Sequence, residues 1–99
     1  MTYVIFEVET GNAGKINKVT DDDLVGRQSI LTRDASSLDI DKDVMYFKIE
    51  GSKEGIQKAE ELAEEQGFKK LDEKEAEKVN KKIKEQEDSA ASGMGMIFD

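Results

Sequence analysis

Residues 44–71 read VMYFKIEGSKEGIQKAEELAEEQGFKKL. In the first seven, Met45, Phe47 and Ile49 alternate with Val44, Tyr46, Lys48 and Glu50, and a period of two is the signature of a strand. Gly51 breaks the pattern and Ser52 follows it, a good helix N-cap because its hydroxyl can accept from the unpaired N–H groups of a first turn. Gly67 suits the position after a helix C-terminus, where the backbone turns left-handed. Between these two punctuation points, Ile56, Ala59, Leu62 and Ala63 fall at i, i+3, i+6 and i+7, so one apolar stripe faces a sheet and the Lys and Glu side chains face water. Phe68 and Leu71 then read either as a very short strand or as a linker whose side chains plug the core.

On the N-terminal side, residues 2–10 (TYVIFEVET) place Val4, Phe6 and Val8 on one face and Tyr3, Ile5, Glu7 and Glu9 on the other, which predicts a first strand. Gly11, Asn12 and Gly14 interrupt it, and the chain stays polar through Asp21, Asp22 and Asp23 to Gly26. This predicts a long loop with one helical turn capped by Thr20. Residues 27–33 (RQSILTR) predict a short second strand at a sheet edge, with Arg27 and Arg33 discouraging further pairing.

On the C-terminal side, Asp72 and Glu75 form a capping pattern, and Leu71 can staple onto Ala76 across it. The helix this starts has a narrow apolar stripe of Ala76, Val79 and Ile83, and the KEQED that follows offers nothing to bury. Pairs such as Glu77 with Lys81 add only about 0.2–0.5 kcal/mol each. Residues 89–99 (SAASGMGMIFD) change composition and predict a flexible tail with an apolar end. The organisation expected is one α+β domain over residues 1–88 and a tail over 89–99.

The order strand, strand, strand, helix, helix predicts a three-stranded antiparallel sheet with two helices on one face, the simplest way to bury both stripes. The stretch from Val44 to Leu71 also resembles the second half of a ferredoxin-like fold. The resemblance implies a distorted ferredoxin-like sandwich as the alternative, which needs a helix between the first two strands. Residues 12–26, with their glycines and aspartates, make a poor one.

The chain has 99 residues, a net charge of −8 and no Cys or His. Without Cys there are no disulfides, thiolate nucleophiles, Fe–S ligands or Cys-based zinc sites. Without His the commonest general base and transition-metal ligand is missing, so catalysis would rest on carboxylates, Lys, Tyr, Ser or Thr. The expectation is a protein that is not an enzyme and holds no cofactor. The negative charge disfavours nucleic acid and anionic membranes as partners. No apolar run approaches the ~20 residues that span a bilayer, and the N-terminus lacks a signal peptide's pattern, so a cytoplasmic location is expected. Abundant Lys and Glu fit a heat-adapted source.

Four patterns carry candidate chemistry. Asp39, Asp41, Asp43 and Glu50 have the carboxylate spacing of an EF-hand loop, but Val44 stands where the sharp turn needs Gly, so the segment reads as a solvated acidic loop before a strand. Gly11-Asn12-Ala13-Gly14-Lys15 resembles a phosphate-cradling loop, yet Glu9 and Ile16 replace its first Gly and its Ser/Thr, which leaves an ordinary turn. Adjacent aspartates point in different directions, so Asp21–Asp23 read as the start of a helical turn. The helix over 72–88 lacks the heptads of a coiled coil and reads as a charged cover.

The tail supplies the candidate partner-binding residues, Met94, Met96, Ile97 and Phe98. Ordering them costs ~1–2 kcal/mol of backbone entropy per residue, which a groove or sheet edge on a partner would offset. The function expected is a small acidic interaction or regulatory module that binds another protein. The alternative is a ferredoxin-like sensor of a small ligand, with the glycine loop 11–14 and the loop 34–43 as lips of its site.

Overall fold

Strand β1 (Thr2–Glu9) lies antiparallel to β3 (Val44–Gly51) along its whole length, from Thr2 opposite Gly51 to Glu9 opposite Val44. β2 (Ser29–Asp34) pairs with the outer side of β3, and β4 (Lys69–Lys70) pairs with the outer side of β1. The computed structural model describes the backbone of residues 2–98 and the side chains of residues 2–87. Its sheet is fully antiparallel in the order β2-β3-β1-β4, so the α+β class stands, with a fourth strand where three were expected. Phe68 and Leu71 flank that strand, and both are buried.

The alternation read from the sequence holds on both central strands. Val4, Phe6, Val8, Phe47 and Ile49 share one core with residues from the segment after β1 and from α3 (Lys53–Glu65). Phe47 is fully buried there, its ring 6.0 Å from Phe6 and 6.4 Å from Phe68. α3 begins where Ser52 caps it, its Oγ accepting from Gly55 N–H at 3.1 Å. It ends at Gly67, whose φ is +77°, with Gly67 N–H donating to Glu64 O and Phe68 N–H to Ala63 O. That pair of bonds closes the last turn onto the carbonyls of Glu64 and Ala63. Gly67→Ala puts a Cβ into a left-handed backbone and is expected to lower stability by about 1 kcal/mol, read as a shifted urea midpoint at unchanged slope.

Residues 10–26 are helical but broken. A 3-10 turn (Thr10–Ile16) runs into α1 (Asn17–Thr20), and α2 (Asp23–Gly26) follows. Ile16, Val19 and Val25 are buried against the same sheet face as α3, so the broken segment does the work of a crossover helix. The cap of its last turn is Asp22, not Thr20: Asp22 Oδ2 accepts from Leu24 N–H at 3.0 Å and from Val25 N–H at 3.1 Å. The order β1, broken helix, β2, β3, α3, β4, with this strand order, is the βαββαβ arrangement of the ferredoxin-like sandwich.

The helix positions differ from the one-face expectation. α4 (Glu73–Phe98) packs on the opposite face of the sheet, where Ala76, Val79 and Ile83 meet Ile5, Tyr46, Leu38 and Leu71. In the sequence this face looks solvated, because Tyr3, Glu7, Lys48 and Glu50 belong to it. α4 covers it by matching polar groups as well as apolar ones: Lys48 Nζ donates to Asn80 Oδ1 at 2.6 Å, and Arg33 Nε donates to Gln86 Oε1 at 3.0 Å. The helix bounds extend over the stretch read as a tail, and Met94, Met96, Ile97 and Phe98 fall outside the described side chains.

Candidate functional site

β4 is two residues long because its neighbours have other duties. Phe68 turns into one core, Leu71 into the other, and Asp72 leaves the sheet to cap α4, its Oδ1 accepting from Glu75 N–H at 2.8 Å. The pairing of Phe6 with Lys70 and Glu7 with Lys69 would place residue 73 opposite Tyr3, but Glu73 is already the first residue of α4. Leu71 N–H donates to Ile5 O at 3.0 Å. The odd-numbered residues of β1 therefore aim their backbone groups towards β4, because these groups alternate along an antiparallel strand. Tyr3 N–H and C=O point the same way, beyond the last residue of β4.

A groove of about 580 Å³ opens at that place, walled by residues 2–5 of β1, by Lys70–Glu73 and by Ala76. A second groove of about 620 Å³ continues from it between Tyr3 and the α4 residues Glu73, Glu77, Asn80 and Lys81. The Tyr3 ring is the wall between them, held from beneath by Lys48, whose ammonium lies 5.2 Å from the ring centre. Lys48 is 12% exposed and is itself fixed by Asn80 and, at 4.0 Å, by Glu50. Of the charged groups along the first groove, Lys70 is paired with Glu60 at 3.1 Å. Asp72 and Glu73 give the groove its negative character.

A second cluster ties the loop before β3 to the sheet. Lys42 Nζ lies 3.1 Å from Glu7 Oε1, and this hydrogen bond, helped by the carboxylate's charge, raises the Lys42 pKa. Burial raises that of Tyr46 beside it. Of the two loops expected as lips of a ligand site, only 34–43 lines a cavity, one of about 350 Å³ closed on its other side by Thr10, whose N–H lies 3.4 Å from Asp43 O; none of residues 11–14 lines it.

The remaining sequence candidates separate. Glu50 lies at the far end of β3 from Asp43, about 20 Å along the strand at ~3.3 Å per residue, so the EF-hand carboxylates do not converge. Gly11 and Gly14 have open space where a side chain would stand, so no close approach demands glycine in that loop. Of the three aspartates, Asp22 caps α2 and Asp23 pairs with Arg27 at 3.0 Å. Tyr3 escaped the sequence reading, although the signal was present: Phe68 and Leu71, both apolar and only three positions apart, leave room for a two-residue strand and no more. Among the described residues no helix is long and apolar enough to cross a membrane. Comparison with protein-family models, curated proteins and solved structures finds no match.

Proposed function

We propose that this chain is a protein-interaction module that takes an extended segment of its partner along the start of β1, beside Tyr3. The unpaired backbone of Tyr3, facing a groove where β4 has ended, carries the reading. A strand laid there would continue the ladder that β4 begins, gaining main-chain hydrogen bonds while its alternate side chains enter the groove. Leu71, Ile5 and Ala76 favour an apolar residue in the groove, and Asp72 and Glu73 favour Lys or Arg on either side. The reading assigns the chain no catalytic step. It has a protein as partner, because a net charge of −8 repels phosphate backbones and anionic headgroups. Met94, Met96, Ile97 and Phe98 are proposed from the sequence as additional partner contacts.

The test is a titration of 15N-labelled protein with a six-residue peptide alternating valine and lysine. Shifts at Thr2–Ile5 and Lys70–Glu73 are expected. Tyr3→Ala removes the ring but keeps the N–H, whereas Tyr3→Pro removes both, and proline is tolerated at an outward-facing edge position. Tyr3→Pro should bind about tenfold more weakly than Tyr3→Ala, the equivalent of one main-chain hydrogen bond. Equal affinity for the two variants, or shifts confined to another surface, would overturn the proposal.

A further inference from the structure

The other edge of the sheet is built differently. With the odd residues of β1 aimed at β4, its even residues pair with Met45, Phe47, Ile49 and Gly51 of β3. The even residues of β3 therefore aim at β2, where they meet Ser29, Leu31 and Arg33. Ile30, Thr32 and Asp34 are left with backbone groups pointing outward, along an edge with no strand beyond it. Such a row invites pairing with another chain.

Both of the last two outward carbonyls are already occupied. Arg33 Nη1 donates to Thr32 O at 2.9 Å, and Ser37 Oγ donates to Asp34 O at 2.7 Å. One side chain of α4 then holds the two guards together: Gln86 Oε1 accepts from Arg33 Nε at 3.0 Å, and Gln86 Nε2 donates to Ser37 O at 2.9 Å. Glu87 adds a carboxylate 3.9 Å from Arg33 Nη2. The two exposed large hydrophobics among the described residues, Leu24 and Ile30, each 37% exposed, stand at the unguarded end of the strand.

We infer that Arg33, Ser37 and Gln86 form a clasp that closes the outer edge of β2, and that opening it lets β2 pair with β2 of a second copy of this chain. The strand is self-complementary in one antiparallel register. With Leu31 on the two-fold axis, Ile30 of each copy faces Thr32 of the other through their outward groups, Ser29 faces Arg33, and Gln28 faces Asp34. Shifting the register by two residues sets Arg27 against Arg33 in one direction and buries Ile30 against Asp34 in the other. Like charges directly opposite, and an apolar side chain on a carboxylate, disfavour both. The clasp acts on the register that remains, since it occupies Thr32 O, one of the groups that register requires.

The test is sedimentation velocity over a concentration series on the full chain and on Gln86→Ala, Arg33→Ala and Arg33→Ala with Thr32→Pro. The wild-type chain should run as a monomer. Both single variants should dimerise at least about tenfold more tightly, the fold-change that one or two freed hydrogen bonds per interface would give. Thr32→Pro removes an outward N–H and should restore the monomer. A wild-type chain already dimeric through β2 would overturn the inference, as would Gln86→Ala and Arg33→Ala variants that keep a native 15N spectrum and remain monomeric. Dimerisation that Thr32→Pro leaves intact would place the contact elsewhere and overturn it equally. Gln86 lies on the partly exposed side of α4, so its variant carries the test if Arg33→Ala fails to fold.

Discussion

Phe47→Ala is expected to remove about 3–5 kcal/mol of stability, as large-to-small changes of a buried aromatic do when the site cannot collapse. Phe47 sits on β3, a central strand hydrogen-bonded on both sides, so the backbone has little freedom to close the gap. Its ring is also the shared neighbour of Phe6 and Phe68. Both aromatic contacts are lost together, and such pairs contribute about 0.5–1.5 kcal/mol beyond their area. A domain of this size has roughly 5–15 kcal/mol to lose, so the variant should unfold at a much lower urea concentration and have a melting temperature lowered by well over 10 °C. A urea midpoint within experimental error of the wild type would show that the core around Phe47 is not a main source of the domain's stability.

How far the sequence carried the fold depends on how many neighbours each element needs. β1 and β3 were legible in outline because their alternation is local and the face they share with α3 is a wholly apolar core, so every second residue had to be apolar. α3 was legible from its two ends inward, since Ser52 and Gly67 are required by backbone geometry whatever lies across the core. The segment 10–26 was not. Its helical turns are each too short to show a period, and Ile16, Val19 and Val25 become a coherent stripe only once the sheet beneath aligns them. The side on which α4 packs was hidden for a related reason. Lys48 on the sheet and Asn80 on the helix each look like solvent-facing residues alone, and only their contact makes the face a covered one. The candidate site follows the same rule: the free backbone of Tyr3 depends on where β4 stops, a property of the pairing and not of any residue at the site.

Ile83→Asp is expected to release α4 from the sheet while the other face stays folded. Ile83 is 1% exposed, and a carboxylate there would have to be desolvated against Leu31 and Tyr46, while Lys48, which lines the cavity beside Ile83, is already held by Asn80 and Glu50. Losing the isoleucine's burial costs about 2 kcal/mol and desolvating the new carboxylate adds more, so at least about 3 kcal/mol is set against the docking of this one helix. α4 can yield because its apolar hold is narrow, three side chains with grooves alongside, whereas α3 lies close to the sheet through Ala59 and Ala63 and shares the larger core. Hydrogen exchange should therefore show amides of residues 76–83 losing protection while those of Ile56–Ala63 keep theirs. Loss of protection in both helices together would mean that the two faces unfold as one unit. Undocking also carries Gln86 away from Arg33 and Ser37, which opens the edge of β2 without altering a residue in that strand. The Ile83→Asp chain should thus dimerise in the same register as Gln86→Ala, and Thr32→Pro should reverse it, because the helix that Ala76, Val79 and Ile83 hold on the face of the sheet is the one that brings Gln86 to its edge.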